Sequence, residues 1–307
     1  MALVNTPLTL KDLPVPPEGK IGWPWTEQNQ LTYEYSECPR VSIITPSYNQ
    51  GQFIEETIRS VLLQGYPNLE YIIMDGGSTD NSVEIIKKYS QWISYWVSEP
   101  DKGQANAVNK GISYSTGTIL NFLNSDDFLL PNAIALTAQA LSEKHNDLTV
   151  IYGFRLRINE QGQIFDFDLP PKKINQLAFR LGCWIPSETF FFTRKVFDIV
   201  EGFNENLRFA LDYDFYIRCL QIEANFLCIE EFMGALRFHD ASKSTTIAKT
   251  GHHEFLRIRR DLLGDNSRAR FVNWFCDSLL SKFVFHKNKY KRYIWKYLNS
   301  EALKQYK

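Results

Sequence analysis

A chain of 307 residues is long enough for one large domain with appendages and a substantial buried core. Its formal net charge of −1 gives no electrostatic ground for a nucleic-acid partner. The cysteines, Cys38, Cys183, Cys219, Cys228 and Cys276, are odd in number and scattered without a CxxC pair; this argues against a zinc or dithiol motif and reads as reduced thiols in a cytosolic protein. The opening segment MALVNTPLTLKDLPVPPEGK lacks the basic flank and unbroken apolar run of a secretion signal, and no apolar run elsewhere is long enough to span a bilayer. Residues 1–38 read as an extended accessory segment, clamped onto a domain by the tryptophans of GWPWTEQNQLTYEY.

From Val41 the pattern changes to short β-branched runs alternating with helical stretches. In order these are VSIIT, FIEETIRSVLLQ, YIIMD, SVEIIKKYS, ISYWVSE, QANAVNKGISYS and TILNFL. Continuous apolar strands separated by amphipathic helices predict an α/β fold with a mostly parallel central sheet flanked by helices. Ligands of such sheets bind beyond the carboxyl ends of the strands. The polar residues ending each run are therefore candidates: Thr45, Asp75, Glu99 with Asp101, and Asn124, Asp126 and Asp127. A helix is expected to open at Pro131. TVIYGFRLRI and GQIFDFDL read as antiparallel strands, and ETFFFTRKVFDIV as a strand running into a helix. From His252 onward the pattern is helical, ending in SKFVFHKNKYKRYIWKYLNS, where basic residues alternate with aromatics.

The sharpest feature is NFLNSDDF, an apolar strand that stops at two adjacent carboxylates, Asp126 and Asp127. Like charges at one strand end cost stability unless a cation or hydrogen-bond donors compensate. A hard divalent ion takes oxygen ligands, and a bound diphosphate completes its shell; capping of the next helix by Asp127 is the simpler alternative. In MDGGSTDNS a second strand ends at Asp75, placed to accept a hydrogen bond from a base or ribose, while Ser78 to Asp80 suit a turn and helix cap. Neither GxxxxGK[ST] nor GxGxxG follows the first strand, which excludes a P-loop or a standard dinucleotide site.

Five segments together, VSIITPSYNQ, MDGGSTDNS, SEPDKGQANAVNKG, LNSDDF followed by Pro131, and ALDYDFYIR, resemble the family 2 glycosyltransferases, with their GT-A nucleotide-diphospho-sugar transferase fold. The resemblance covers about Pro39 to His239 and implies a GT-A domain over residues 39–245 with a helical extension over 246–307. It implies transfer of a sugar from a nucleotide-diphosphate donor, commonly a UDP-sugar, to an acceptor hydroxyl with inversion. Manganese or magnesium is the implied cofactor. Thr45 and Pro46 are implied to lie against the nucleotide, Asp75 to contact the base, and Asp101 and Lys102 to help hold the nucleotide. Asp127 is the implied metal ligand, with Asp126 on ribose or metal. Asn124 stands where many relatives carry aspartate, and serves orientation instead. His239 matches a position that approaches metal or diphosphate. Asp212 is the implied general base, with Asp214 in reserve; Leu211 replaces a glutamate common in relatives. Glu188 and Trp184 lie where relatives shape the acceptor pocket, although Trp184 also suits core packing.

A sugar nucleotidyltransferase also grips metal and nucleotide at the end of a parallel sheet, but ITPSYNQGQF lacks its glycine-rich loop with following arginine and lysine. A non-catalytic nucleotide-sugar or glycan-binding member of the fold would have lost its carboxylates, yet Asp75, Asp127 and Asp212 are all present. A glycan or lipid-linked acceptor in polysaccharide or glycolipid synthesis is the expected partner class. The basic, aromatic C-terminal helices suit peripheral attachment to the inner face of a membrane, or packing on the catalytic domain or a second subunit.

Overall fold

A computed structural model describes residues 7–29, 38–142, 147–181 and 185–264. Its strands are β1 (Val41–Ser47), β2 (Leu69–Asp75), β3 (Tyr95–Ser98), β4 (Ile119–Phe122), β5 (Phe128–Leu129), β6 (Thr149–Ile158), β7 (Ile164–Asp168), β8 (Phe191–Thr193) and β9 (Asn225–Arg237). The helices are α1 (Ile54–Leu62), α2 (Ser82–Tyr89), α3 (Gln104–Tyr114), α4 (Ala133–Ala140), α5 (Gln176–Leu181), α6 (Arg194–Val200), α7 (Leu211–Gln221), α8 (Lys243–Thr246) and α9 (Ala248–Leu263). The strands form one sheet in the order β3-β2-β1-β4-β8-β6-β9-β5, with β7 beside β6.

The sheet has two halves. β3, β2, β1 and β4 are mutually parallel, as their unbroken apolar runs require. Beyond β4 the sheet is mixed: β8 runs antiparallel to β4 and β6, β9 parallel to β6, and β5 antiparallel to β9. The β6–β7 hairpin is antiparallel, as expected from its sequence.

Alternate residues of β1 feed opposite layers. Ile44 joins Ile72, Leu120, Val108 and Phe215 on one face, while Ile43 joins Tyr71, Ile73, Ile58 and Ile134 on the other. Each fully buried aliphatic side chain of this kind contributes roughly 1.5–3 kcal/mol. Helix α3 lies so close to the sheet that a Cβ at Gly111 would fall 2.5 Å from Cγ2 of Ile44. The close seating fixes where the first residues of α3 meet the strand ends.

The accessory segment is held as expected through tryptophan, with Trp25 buried and Nε1 of Trp23 donating to the Leu129 carbonyl at 2.8 Å. The domain also grips back. The buried guanidinium of Arg59 donates to the carbonyls of Pro14, Pro24 and Trp25 at 2.8, 3.1 and 3.2 Å. In the C-terminal part, Ile258 of α9 belongs to the same core as α3 and α7. The basic, aromatic stretch beyond Gly264 and residue Trp184 lie outside the described residues.

Candidate active site

The carboxyl ends of β1 and β4 and the loop after β3 open into a cavity of about 620 Å³, of the size that holds a small-molecule ligand. Pro46, Asp101, Asn124, Asp126, Asp127 and Asp212 all line it, so one chamber collects residues from four separated motifs. The facing wall includes Arg155, Phe209, Lys243 and Phe255.

The adjacent carboxylates have different environments. Asp127 is buried, and its Oδ1 accepts the Arg237 backbone N–H at 2.9 Å while its Oδ2 accepts from Nδ2 of Asn124 at 3.2 Å. Burial pushes its carboxyl well above the usual range, and the charges of Asp126 and Glu188 push it the same way. Helix capping does not explain it, because α4 has no side-chain cap. Asp126 is more open, and its Oδ2 lies 3.0 Å from Nε2 of His239. The backbone carbonyl of Asp126 accepts Nε of Arg237 at 3.0 Å, and that arginine also pairs with Glu56 at 3.0 Å. Gln104 joins α3 to this turn, donating from Nε2 to Oδ1 of Asn124 and accepting from Nζ of Lys243.

The nucleotide candidates divide. Pro46 and Asp101 face the cavity. Thr45 is buried two residues inside the end of β1, with its Oγ1 3.1 Å from the Tyr71 hydroxyl, and does not line the cavity. Asp75 is buried as well. Its carboxylate accepts the N–H groups of Gly77 and Ser78 at 3.2 and 2.9 Å, and the hydroxyls of Ser78 and Ser98 at 2.5 and 2.6 Å. In this state Asp75 organises its own loop. Against that loop sits Asp101, whose Oδ2 would be 2.7 Å from a Cβ on Gly76. Lys102 is exposed and lies outside the cavity lining.

Across the chamber, Asp212 lies in the first turn of α7 and accepts the Tyr213 N–H at 2.7 Å. Burial raises its carboxyl to about 6, with the Tyr213 bond and Arg155 acting in the opposite direction. A base at that value is largely ionised at neutral pH and still able to take a proton. Asp214 is committed elsewhere, paired with Arg218 one turn on at 2.7 Å. Glu188 lies beneath the chamber, buried, with Oε2 3.5 Å from Arg155 and Oε1 without a partner.

Sequence reasoning missed Arg155, Arg237, Lys243 and Glu254. Arg237 and His239 reach the site through β9, a strand that the sequence pattern hid because Glu230 and Glu231 interrupt its apolar run. Arg155 alternates with Arg157 on β6, and both bind Asp168, with Nε–Oδ2 distances of 2.7 Å each.

This chamber, at the ends of a parallel half-sheet and lined by the carboxylates of Asp101, Asp126, Asp127 and Asp212, is that of a transferase. A family model for glycosyl transferase family 2 matches residues 42–200, and the chain belongs to that family. An uncharacterized glycosyltransferase of Rickettsia felis is 32% identical over 71% of this chain and 37% of its own length. A chondroitin synthase of Escherichia coli is 30% identical over 60% of this chain and 27% of its own length. The chain thus spans well under half the length of these relatives. Among solved structures, S. aureus TarS 1-349 in complex with UDP-GlcNAc gives a TM-score of 0.58 at 16% identity, covering 76% of this chain and 70% of that one. The mannosyltransferase PcManGT from Pyrobaculum calidifontis, in complex with GDP-Man and Mn2+, gives 0.58 at 17% identity, covering 80% and 70%. At such identities these two structures speak for the GT-A fold alone.

Proposed function

We propose that this glycosyltransferase moves a sugar from a nucleoside-diphosphate donor, with UDP as the carrier, onto a hydroxyl of a glycan or lipid-linked acceptor, with inversion. The observation that carries the reading is one chamber lined by both Asp126, whose carboxylate meets His239 at 3.0 Å, and Asp212. The presence of nucleotide sugars in the TarS and PcManGT structures supports the donor class, and Mn2+ in the latter supports a metal.

Among the described residues no group of three or more His, Cys, Asp or Glu side chains is gathered to hold a metal ion; the support for a divalent ion is one carboxylate oxygen and one imidazole nitrogen side by side, with the donor's own oxygens left to complete the shell. Asp126 and His239 would hold Mn2+ or Mg2+, which when bound would offset charge on the leaving diphosphate. Asp127, with both oxygens engaged inside, shapes the turn and does not face the ion first. Pro46, Asp101 and the N-terminus of α3 border the nucleotide, with Thr45 and Asp75 supporting from beneath. Asp212 accepts the proton of the acceptor hydroxyl as its oxygen attacks the anomeric carbon from the face opposite the diphosphate, and a single displacement inverts the centre. Glu188 tunes Arg155 below the acceptor side.

Among the described residues no helix is long and apolar enough to cross a membrane. The basic, aromatic stretch near the C-terminus supports a peripheral place on the cytoplasmic face of a membrane, in polysaccharide or glycolipid synthesis; lack of binding to anionic liposomes at low salt would remove that element.

The experiment is calorimetric titration with UDP and with GDP, each with and without Mn2+, on wild type and Asp126→Ala. Metal-dependent binding of UDP that the substitution abolishes supports the reading, and GDP in its place changes only the carrier. A folded protein that binds neither overturns it.

A further inference from the structure

The three residues that precede the helix of the proposed base are held by one carboxylate from α9. Glu254 accepts the Arg208 N–H on Oε1 and the Phe209 and Ala210 N–H groups on Oε2, each at 2.9 Å. Burial opposes its ionisation, but the three N–H donors together hold its carboxyl below the usual range. Hydrogen bonds to an ionised acceptor are about twice as strong as neutral ones. Ala210 is the residue whose carbonyl receives the first bond of α7, from Asp214 N–H at 3.1 Å. Clamping it fixes the point from which Asp212 projects, two residues on.

The rest of α9 closes on the same place. A Cβ at Gly251 would lie 2.5 Å from Cδ1 of Phe209, so the helix passes against that ring with no room between. Phe255 packs edge-on to Tyr213 with centroids 4.7 Å apart and itself lines the cavity, and Nε of Arg259 donates to the Tyr213 hydroxyl at 3.1 Å. Residues on both sides of Asp212 are thus seated by α9, which follows the region matched by the family model.

We propose that Glu254 is a positioning residue for glycosyl transfer, acting through the 208–210 backbone to aim Asp212 at the acceptor oxygen. The proposal rests on the reading of Asp212 as general base. It makes α9 part of the catalytic unit, which therefore extends to about residue 263.

The test compares wild type, Glu254→Gln, Glu254→Ala and Asp212→Asn, each checked by circular dichroism and by binding of the nucleotide that titration selects. Turnover is read with water in the acceptor's place, as UDP released from UDP-N-acetylglucosamine or GDP from GDP-mannose. Deuterium uptake is read across residues 207–214. Misaiming by a fraction of an ångström predicts a loss in kcat of about tenfold or more in both Glu254 variants, with donor KM within about twofold. Uptake at residues 208–210 rises in both, while nucleotide binding is kept. Unchanged kcat, or unchanged uptake, in a folded Glu254→Ala protein overturns the positioning role. Wild-type turnover in Asp212→Asn would instead overturn the base assignment, so the two failures are distinguishable.

Discussion

Nε2 of His239 stands 3.0 Å from Oδ2 of Asp126, joining the segment after β9 to the turn after β4 across 113 residues of chain. The imidazole also packs against Phe53, whose tilted ring has its centroid 4.6 Å away. A histidine held this way, with its side chain only 4% exposed, cannot swing freely to solvent.

His239→Ala is therefore expected to lower metal-dependent nucleotide affinity by roughly 10–100-fold, the range seen when a supporting metal partner is removed. Asp126→Ala should abolish the metal-dependent component. Calorimetry with Mn2+ and with EDTA checks both, and a His239→Ala protein with wild-type affinity would leave the histidine as a packing residue.

Asp127 should behave differently from its neighbour. Truncating it leaves the buried Arg237 N–H without an acceptor, which costs about 1–3 kcal/mol. Thermal unfolding should show Asp127→Ala several degrees below wild type, Asp127→Asn closer to it, and Asp126→Ala nearly unchanged. Equal destabilisation by Asp126→Ala and Asp127→Ala would contradict the division of roles.

The parallel half of this fold is legible because β1, β2 and β4 are buried on both faces: VSIIT and YIIMD are almost wholly apolar, the one interior polar residue, Ser42, being buried against Glu70, and each ends at a residue that needs a reason to be polar. The mixed half is less so. β9 exposes Glu230 and Glu231 midway, so neither alternation nor a continuous apolar run marks it, although it carries Arg237 into the site. The adjacency of Asp126 and Asp127 announced a site but not that one of the two carboxylates is buried and the other more open. That depends on Arg237, 110 positions later, offering its N–H to one of them. Glu254 was illegible for a similar reason, since its partners are backbone groups and leave no trace in side-chain chemistry.

Arg59 supplies a test of the accessory segment. Its guanidinium is buried and binds three carbonyls of that segment, with the Tyr89 hydroxyl as a further partner at 3.1 Å. Arg59→Met leaves those acceptors without a donor, a loss of about 3 kcal/mol or more if each costs 1 kcal/mol. Limited proteolysis should then cut within residues 7–29 while the rest of the domain stays protected. Wild-type resistance would mean that Trp23 and Trp25 suffice to hold the segment.

Asp212 connects stability to activity through pH. Its carboxyl is raised from 3.8 to about 6, chiefly by burial, so the folded protein binds this proton more tightly than the unfolded chain does. The sign follows: the site favours folding as pH falls from about 6 toward 4, and above 6 the half-buried charge, screened in part by the open cavity, opposes folding by about 1–2 kcal/mol. With Asp212 as the proposed base, turnover should have the reverse dependence, because only the carboxylate can take the acceptor proton. It should be level above about pH 6 and fall about tenfold per unit below it. Asp212→Asn removes both effects together. The variant should be inactive, and its melting temperature should exceed that of wild type by roughly 2–5 °C at pH 8, with the gap closing by pH 4. Thermal melts of both proteins across that range, set beside the kcat profile, check the argument. An asparagine variant less stable than wild type at pH 8 would show that the carboxylate is held by its neighbours and is not strained for the reaction.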